Sequence, residues 1–120
     1  MKFLIDLDLL LNDTLLDILK TTSNKNVLKH YSKSKNLLER IAVAENRNTN
    51  SNILDVLASD PDKRVKNRVI RNHNTSRKTL KKLILNPYLG MDPVSLLAHP
   101  NITRTLKDLY IHTPVKVDTK

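Results

Sequence analysis

With 120 residues, one glycine, three tyrosines and one phenylalanine, the chain is sized for a single domain and composed for helices; the turn glycines and aromatic strand fillers of an all-β fold are missing. The absence of cysteine excludes disulfides, thiolate metal sites, iron–sulfur clusters and cysteine nucleophiles, and it fits a reducing, cytoplasmic setting. A net charge of +9 points to a polyanionic partner, nucleic acid or an acidic protein surface.

From the N-terminus, residues 3–11 read Phe-Leu-Ile-Asp-Leu-Asp-Leu-Leu-Leu. Asp6 and Asp8 interrupt what would be the apolar centre of a signal peptide, and the run is too short to cross a bilayer, so no membrane association is expected. The segment reads as an N-terminal cap, 1–12, with Asp6, Asp8, Asp13 and Asp17 facing water. Beyond it the chain repeats at an offset of 26 residues: Leu28, Leu54, Leu80 and Leu106 share one column, and Tyr31, Leu57, Leu83 and Leu109 another. Apolar residues at i and i+3, recurring at a fixed interval, are the mark of a helical unit too small to bury a core alone.

The expected architecture is therefore all-α, a short α-solenoid of about four two-helix repeats, 13–38, 39–64, 65–90 and 91–116, with a 117–120 tail and a frayed end over 115–120. First helices are predicted near 13–20, 39–46, 65–72 and 91–98, with Ile18, Ala44, Ile70 and Leu96 facing inward. Second helices are predicted near 24–32, 50–58, 76–85 and 102–110. Asp60-Pro61 and Asp92-Pro93 each place an acceptor before a proline, the signature of a helix start, and Thr113-Pro114 resembles a truncated third. Thr49 and Thr75 are the expected caps of the second and third long helices. Asn46, Asn48, Asn72 and Asn74 occupy the turns before them, where asparagine tolerates left-handed backbone and bonds its own main chain.

Ile41-Ala42-Val43-Ala44-Glu45-Asn46-Arg47-Asn48-Thr49, then Ile53-Leu54, Leu57-Ala58, Asp60-Pro61-Asp62 and Val65, resemble the leucine-rich repeat variant, a HEAT-like family. Val69-Ile70-Arg71-Asn72-His73-Asn74-Thr75 followed by Leu80 and Leu83 resembles it again. The likeness is good over about 39–87 and loose outside. Arg47 and His73 stand where the family has one proline, Asn50 and Ser76 where it has another, and the cysteine cluster of some members is absent. The resemblance implies a right-handed array alternating an α-helix with a tight, often 3₁₀, helix. It implies no activity, because the repeat is a scaffold.

Charge is unevenly spread. Residues 1–22 sum to −2, whereas from Lys63 to Met91 there is no acid and the sum is +9. That stretch supplies the candidate phosphate contacts, Arg64, Lys66, Arg68, Arg71, Arg77, Lys78, Lys81 and Lys82. Lys25 with Lys29, and Arg77 with Lys81 and then Lys107, would line up as a ladder once units stack, and Arg77 and Lys78 fall in the first turn of their helix. With so few aromatics, contact would run through phosphates rather than stacked bases. The alternative is an adaptor or inhibitor docking an acidic protein. Self-association is a further reading, through Leu109, Tyr110 and Ile111 of the last unit or by the acidic end meeting the basic flank head to tail.

Catalysis finds no support in the residue pattern. Asp60 and Asp62 are paired carboxylates, but Asp60 reads as a cap. Ser51, Ser59, Ser76 and Ser95 lack a partnered His and Asp, and Gly90 reads as a turn residue, not part of a phosphate loop. His73 and His99, 26 apart, should approach one another as turn or surface residues, without the third ligand a metal needs. Neither a metal nor a cofactor is expected, and the chain reads as a non-enzyme.

Overall fold

The computed structural model describes the backbone of residues 2–114 and the side chains of residues 11–114. Seven of its helices begin the same way. A side-chain oxygen of Asn24, Asn36, Asn50, Asp62, Ser76, Asp92 or Thr103 accepts a backbone N–H from the first turn that follows, satisfying a donor that the helix itself leaves open. These caps start α2 (Lys25–Tyr31), α3 (Leu37–Glu45), α4 (Ser51–Leu57), α5 (Lys63–Arg71), α6 (Arg77–Leu85), α7 (Pro93–Leu97) and α8 (Arg104–His112), after α1 (Lys2–Thr21). The described residues are all-helical, without a strand.

α2, α4, α6 and α8 lie close to the spans predicted for the second helices. Three expected caps move. Asp92 caps α7 with Pro93 in its first turn, as predicted, but Asp60 does not cap α5. Asp62 does, because Asp60 is engaged by Arg40 at 2.7 Å and by the backbone N–H of Asp62. Thr49 and Thr75 are buried, one position ahead of the true caps Asn50 and Ser76. Their hydroxyls donate back to the carbonyls of Val43 and Val69 at 2.7 and 2.6 Å, closing the turn instead of opening the next helix. Thr113 ends α8, its hydroxyl bonded to the Leu109 carbonyl.

α1 packs on α3, α3 on α5, and α5 on α7, while α6 packs on α8. Between the two sets lie Leu28, Leu54, Leu57, Leu80 and Leu83 from the even-numbered helices and Val43, Ala44, Val65, Val69, Ile70 and Leu96 from the odd-numbered ones. Each buried leucine contributes about 2 kcal/mol. Tyr31 and Leu109, the ends of the second leucine column, are half-buried against the same core. The molecule measures 57 × 38 × 21 Å with a radius of gyration of 16.2 Å, longer than the roughly 13 Å of a compact hundred-residue domain and about two helices thick.

The asparagines set the register between successive helix pairs. No non-glycine residue adopts positive φ, so the left-handed turns expected at Asn46, Asn48, Asn72 and Asn74 do not occur among the described residues. The expected bonds to the nearby main chain do form, Asn46 and Asn72 accepting the N–H of Asn48 and Asn74, and the amide nitrogens reach back across the molecule. Asn46 Nδ2 donates to the carbonyls of Leu19 and Thr22, Asn72 Nδ2 to those of Ala44 and Asn46, and His99 Nε2 to that of Asn72. Asn48, Asn74 and Asn101 run a parallel series onto residues 21 and 22, 47 and 49, and 73 and 75.

The spacing is 26 from Asn46 to Asn72 but 27 from Asn72 to His99, and likewise 26 from Asn48 to Asn74 but 27 from Asn74 to Asn101. The loop between α6 and α7 absorbs the extra residue and contains Gly90 at φ 89°, where any Cβ would also meet the Lys63 amine. At the other end the register also slips by one, since Asn46 grips Leu19 where Asn72 grips Ala44. Leu19 is therefore fully buried and Ile18, predicted inward, is exposed. α1 itself runs unbroken through the boundary expected after residue 12. Asp13 and Asp17 are exposed as expected; the side chains of Asp6 and Asp8 and the expected fraying of 115–120 lie outside the described residues.

Candidate nucleic-acid interface

The eight candidate cations divide between two helices whose neighbours differ. Arg64, Lys66, Arg68 and Arg71 belong to α5, and Arg77, Lys78, Lys81 and Lys82 to α6. Helix periodicity places Arg64, Arg68 and Arg71 on one stripe, and pairs Arg77 with Lys81 and Lys78 with Lys82.

The α5 stripe is neutralised by acids from elsewhere in the chain. Arg64 chelates Asp62 through Nε and Nη2 at 3.1 and 2.9 Å, which lowers that carboxyl to about 2. Arg71 Nε meets Asp92 at 2.8 Å and holds it below the usual carboxylate range. Arg68 stands 4.0 Å from Glu45. Lys66 lies 4.9 Å from the centre of the Tyr88 ring, and Tyr88 is itself half-buried, its hydroxyl bonded to Asn67 and its ionisation pushed up by burial and by Asp92. Tyr88 is thus spent on packing rather than available to a base. An open cleft of about 480 Å³ beside this stripe, with Arg47, Arg71 and His73 on its walls, also admits Glu45.

α6 differs. Lys82 Nζ is 3.7 Å from Asp55 and donates to its carbonyl, and Thr79 donates to the same carboxylate at 2.7 Å; the Thr79 bond and then the Lys82 charge lower Asp55. Arg77, Lys78 and Lys81 are exposed and make no salt bridge among the described residues. α8 packs beside α6 and adds two exposed cations, Arg104 and Lys107. Arg104 was not among the candidates. It follows its cap Thr103 as Arg77 follows Ser76, a match hidden by the 27-residue spacing at this junction. The ladder expected from Lys25 and Lys29 up to Lys107 is broken at its second rung, where Ser51 and Asp55 occupy the two positions.

His73 and His99 both lie in turns, as expected. The rings of His73 and His99 do approach, at 6.2 Å and nearly perpendicular. His73 is exposed, whereas His99, in the turn that follows α7, is 4% exposed because it takes the place of Asn72 in the buried series. No group of three metal-ligating residues forms among the described residues. His112 Nδ1 meets the backbone carbonyl of Asp108, not its carboxylate. Of the proposed self-association patch only Ile111 is exposed; Leu109 and Tyr110 are half-buried against the core. No helix among the described residues is long and apolar enough to cross a membrane. Neither the family models, nor the curated proteins, nor the solved structures contain a match to this chain.

Proposed function

We propose that the chain is a non-catalytic, cytoplasmic binding module that holds nucleic acid by its phosphates, on the surface formed by α6 and α8. The observation that carries this reading is Arg77, Lys78 and Lys81, exposed on one helix with no salt bridge to a carboxylate among the described residues, and continued by Arg104 and Lys107 next door. The α5 cations are secondary contacts, since each arginine there must exchange an acidic partner for a phosphate.

The scaffold is read as a short α-solenoid of the leucine-rich repeat variant or a HEAT-like kind. The serial packing of odd-numbered helices and the recurring asparagine bonds support that reading, as does a slab two helices thick. Such an array places equivalent cations one helix spacing apart, about 10 Å. Contact through phosphates rather than bases follows from the tyrosines: Tyr31, Tyr88 and Tyr110 are half-buried in packing.

The test is fluorescence anisotropy with short random duplexes and single strands of DNA and RNA, from about 50 to about 300 mM salt. With three to five phosphates engaged, the affinity should fall with a log–log slope of about −2.7 to −4.5 on duplex DNA and show little dependence on sequence. Affinity that is flat in salt, or absent at the lowest salt, overturns the reading.

A further inference from the structure

The seams between successive even-numbered helices are built from equivalent positions, and one of them is inverted in charge. At the α4–α6 seam, Asp55, five residues beyond its cap Asn50, faces α6. There it accepts from Thr79 and stands beside Lys82, the third and sixth residues beyond the cap Ser76. At the α2–α4 seam the equivalent of Asp55 is Lys29, five beyond Asn24, and the equivalents of Thr79 and Lys82 are Ile53 and Val56. An acid facing a hydroxyl and a cation is thus replaced by a cation facing two aliphatic side chains.

Among the described residues no side-chain hydrogen bond or salt bridge crosses this second seam. Lys25, Lys29 and Lys33 are exposed and form no salt bridge among the described residues. Val56 is 56% exposed. Between the two helices lies an open groove of about 310 Å³ lined by these lysines, Ile53, Val56 and the exposed amide of Asn52, with no carboxylate among its described lining residues. It is separate from the α6–α8 cations.

We propose that this groove docks an acidic peptide segment of a protein partner, one that seats an apolar side chain on Val56 and Ile53 and sets flanking carboxylates against Lys25, Lys29 and Lys33. The complementarity is specific to that chemistry. The apolar floor gives a phosphate chain nothing to contact, whereas a peptide offers a hydrophobic anchor, carboxylates for the lysines, and backbone groups for the Asn52 amide. Together with the phosphate-binding reading, from which it is independent, this would make the chain an adaptor with two separate sites along one layer of helices.

The probe is a short fluorescein-labelled peptide in which one leucine is flanked by aspartates and glutamates, titrated with the full chain by anisotropy and followed by ¹⁵N-NMR. Lys29→Glu and Val56→Asp each weaken binding by about tenfold or more, replacing the leucine of the peptide by serine does the same, and the Arg77/Lys78/Lys81→Glu variant retains affinity. Amide shifts gather on α2 and α4. Circular dichroism melts check that each variant is folded, with Val56→Ser as the milder substitute. Absence of peptide binding overturns the proposal, as does binding indifferent to the leucine, binding lost with the α6 charges, or a single-stranded oligonucleotide occupying the groove in the peptide's place. Loss of nucleic-acid binding in the α6 variant bears on the phosphate reading alone.

Discussion

Asn72 donates from one amide nitrogen to two carbonyls, Ala44 at 2.8 Å and Asn46 at 2.9 Å, and its Oδ1 accepts the backbone N–H of Asn74. Leaving such buried acceptors without a donor costs about 1–3 kcal/mol. Asn72→Ala should therefore lower the unfolding free energy by about 2–3 kcal/mol in a urea titration, although no apolar contact of note is lost. His99 plays the same part at the next junction with different chemistry. Its Nε2 faces the Asn72 carbonyl at 2.8 Å and so carries the proton; its Nδ1 faces the Asn101 N–H at 3.0 Å and so accepts. The Nδ1 bond requires the neutral ring, whereas the Nε2 bond survives protonation.

Burial lowers the His99 pKa below its ordinary 6.5, helped by His73 nearby and opposed by the bond to Asn72. A depressed folded-state pKa means that the unfolded chain takes up the proton first. Stability is accordingly full above about 6.5 and falls with acid below that value, down to the folded-state pKa. His99→Asn, which installs the residue used at the earlier junctions, should flatten this slope while keeping the fold; melting curves across pH 4.5–8 would show it. An unchanged slope in the variant would assign the acid sensitivity to other groups.

The helices themselves were largely legible in the sequence, their ends less so. The 26-residue recurrence located every even-numbered helix, because leucines at i and i+3 can face a core only on a helix. The caps were misplaced by one or two residues at Thr49, Thr75 and Asp60. A threonine hydroxyl that starts a helix and one that bonds back to a carbonyl six residues earlier look alike in sequence, and only the packed turn decides between them. Ser76→Ala should accordingly cost about 1 kcal/mol, the worth of a true cap. The unpaired appearance of α5 was also an artefact of linear counting. No acid lies between residues 63 and 91, but packing brings Glu45 and Asp92 to Arg68 and Arg71 from the helices on either side, and Asp62 adjoins Arg64 just ahead of the stretch. These pairs are substantially exposed and screened by solvent, so they occupy the arginines without locking them.

Over the whole molecule, the single extra residue between α6 and α7 has the largest effect on the candidate surface. It shifts the final helix pair from a 26- to a 27-residue spacing, aligns Arg104 with Arg77, and sets Asp108 opposite the place where a strict repeat would put Lys107. A self-alignment at fixed offset has no means of seeing this, since the leucines still match at 26. The proposed phosphate-binding surface is thus smaller than the sequence total suggests and lies on α6 and α8. The most direct test compares duplex binding by the wild-type chain, an Arg77/Lys78/Lys81→Glu variant and an Arg64/Arg68/Arg71→Glu variant, by anisotropy at about 50 mM salt. Reversal on α6 should weaken binding by about a hundredfold or more, and reversal on α5 by about tenfold or less. Binding that survives the α6 reversal and disappears with the α5 reversal would contradict the assignment.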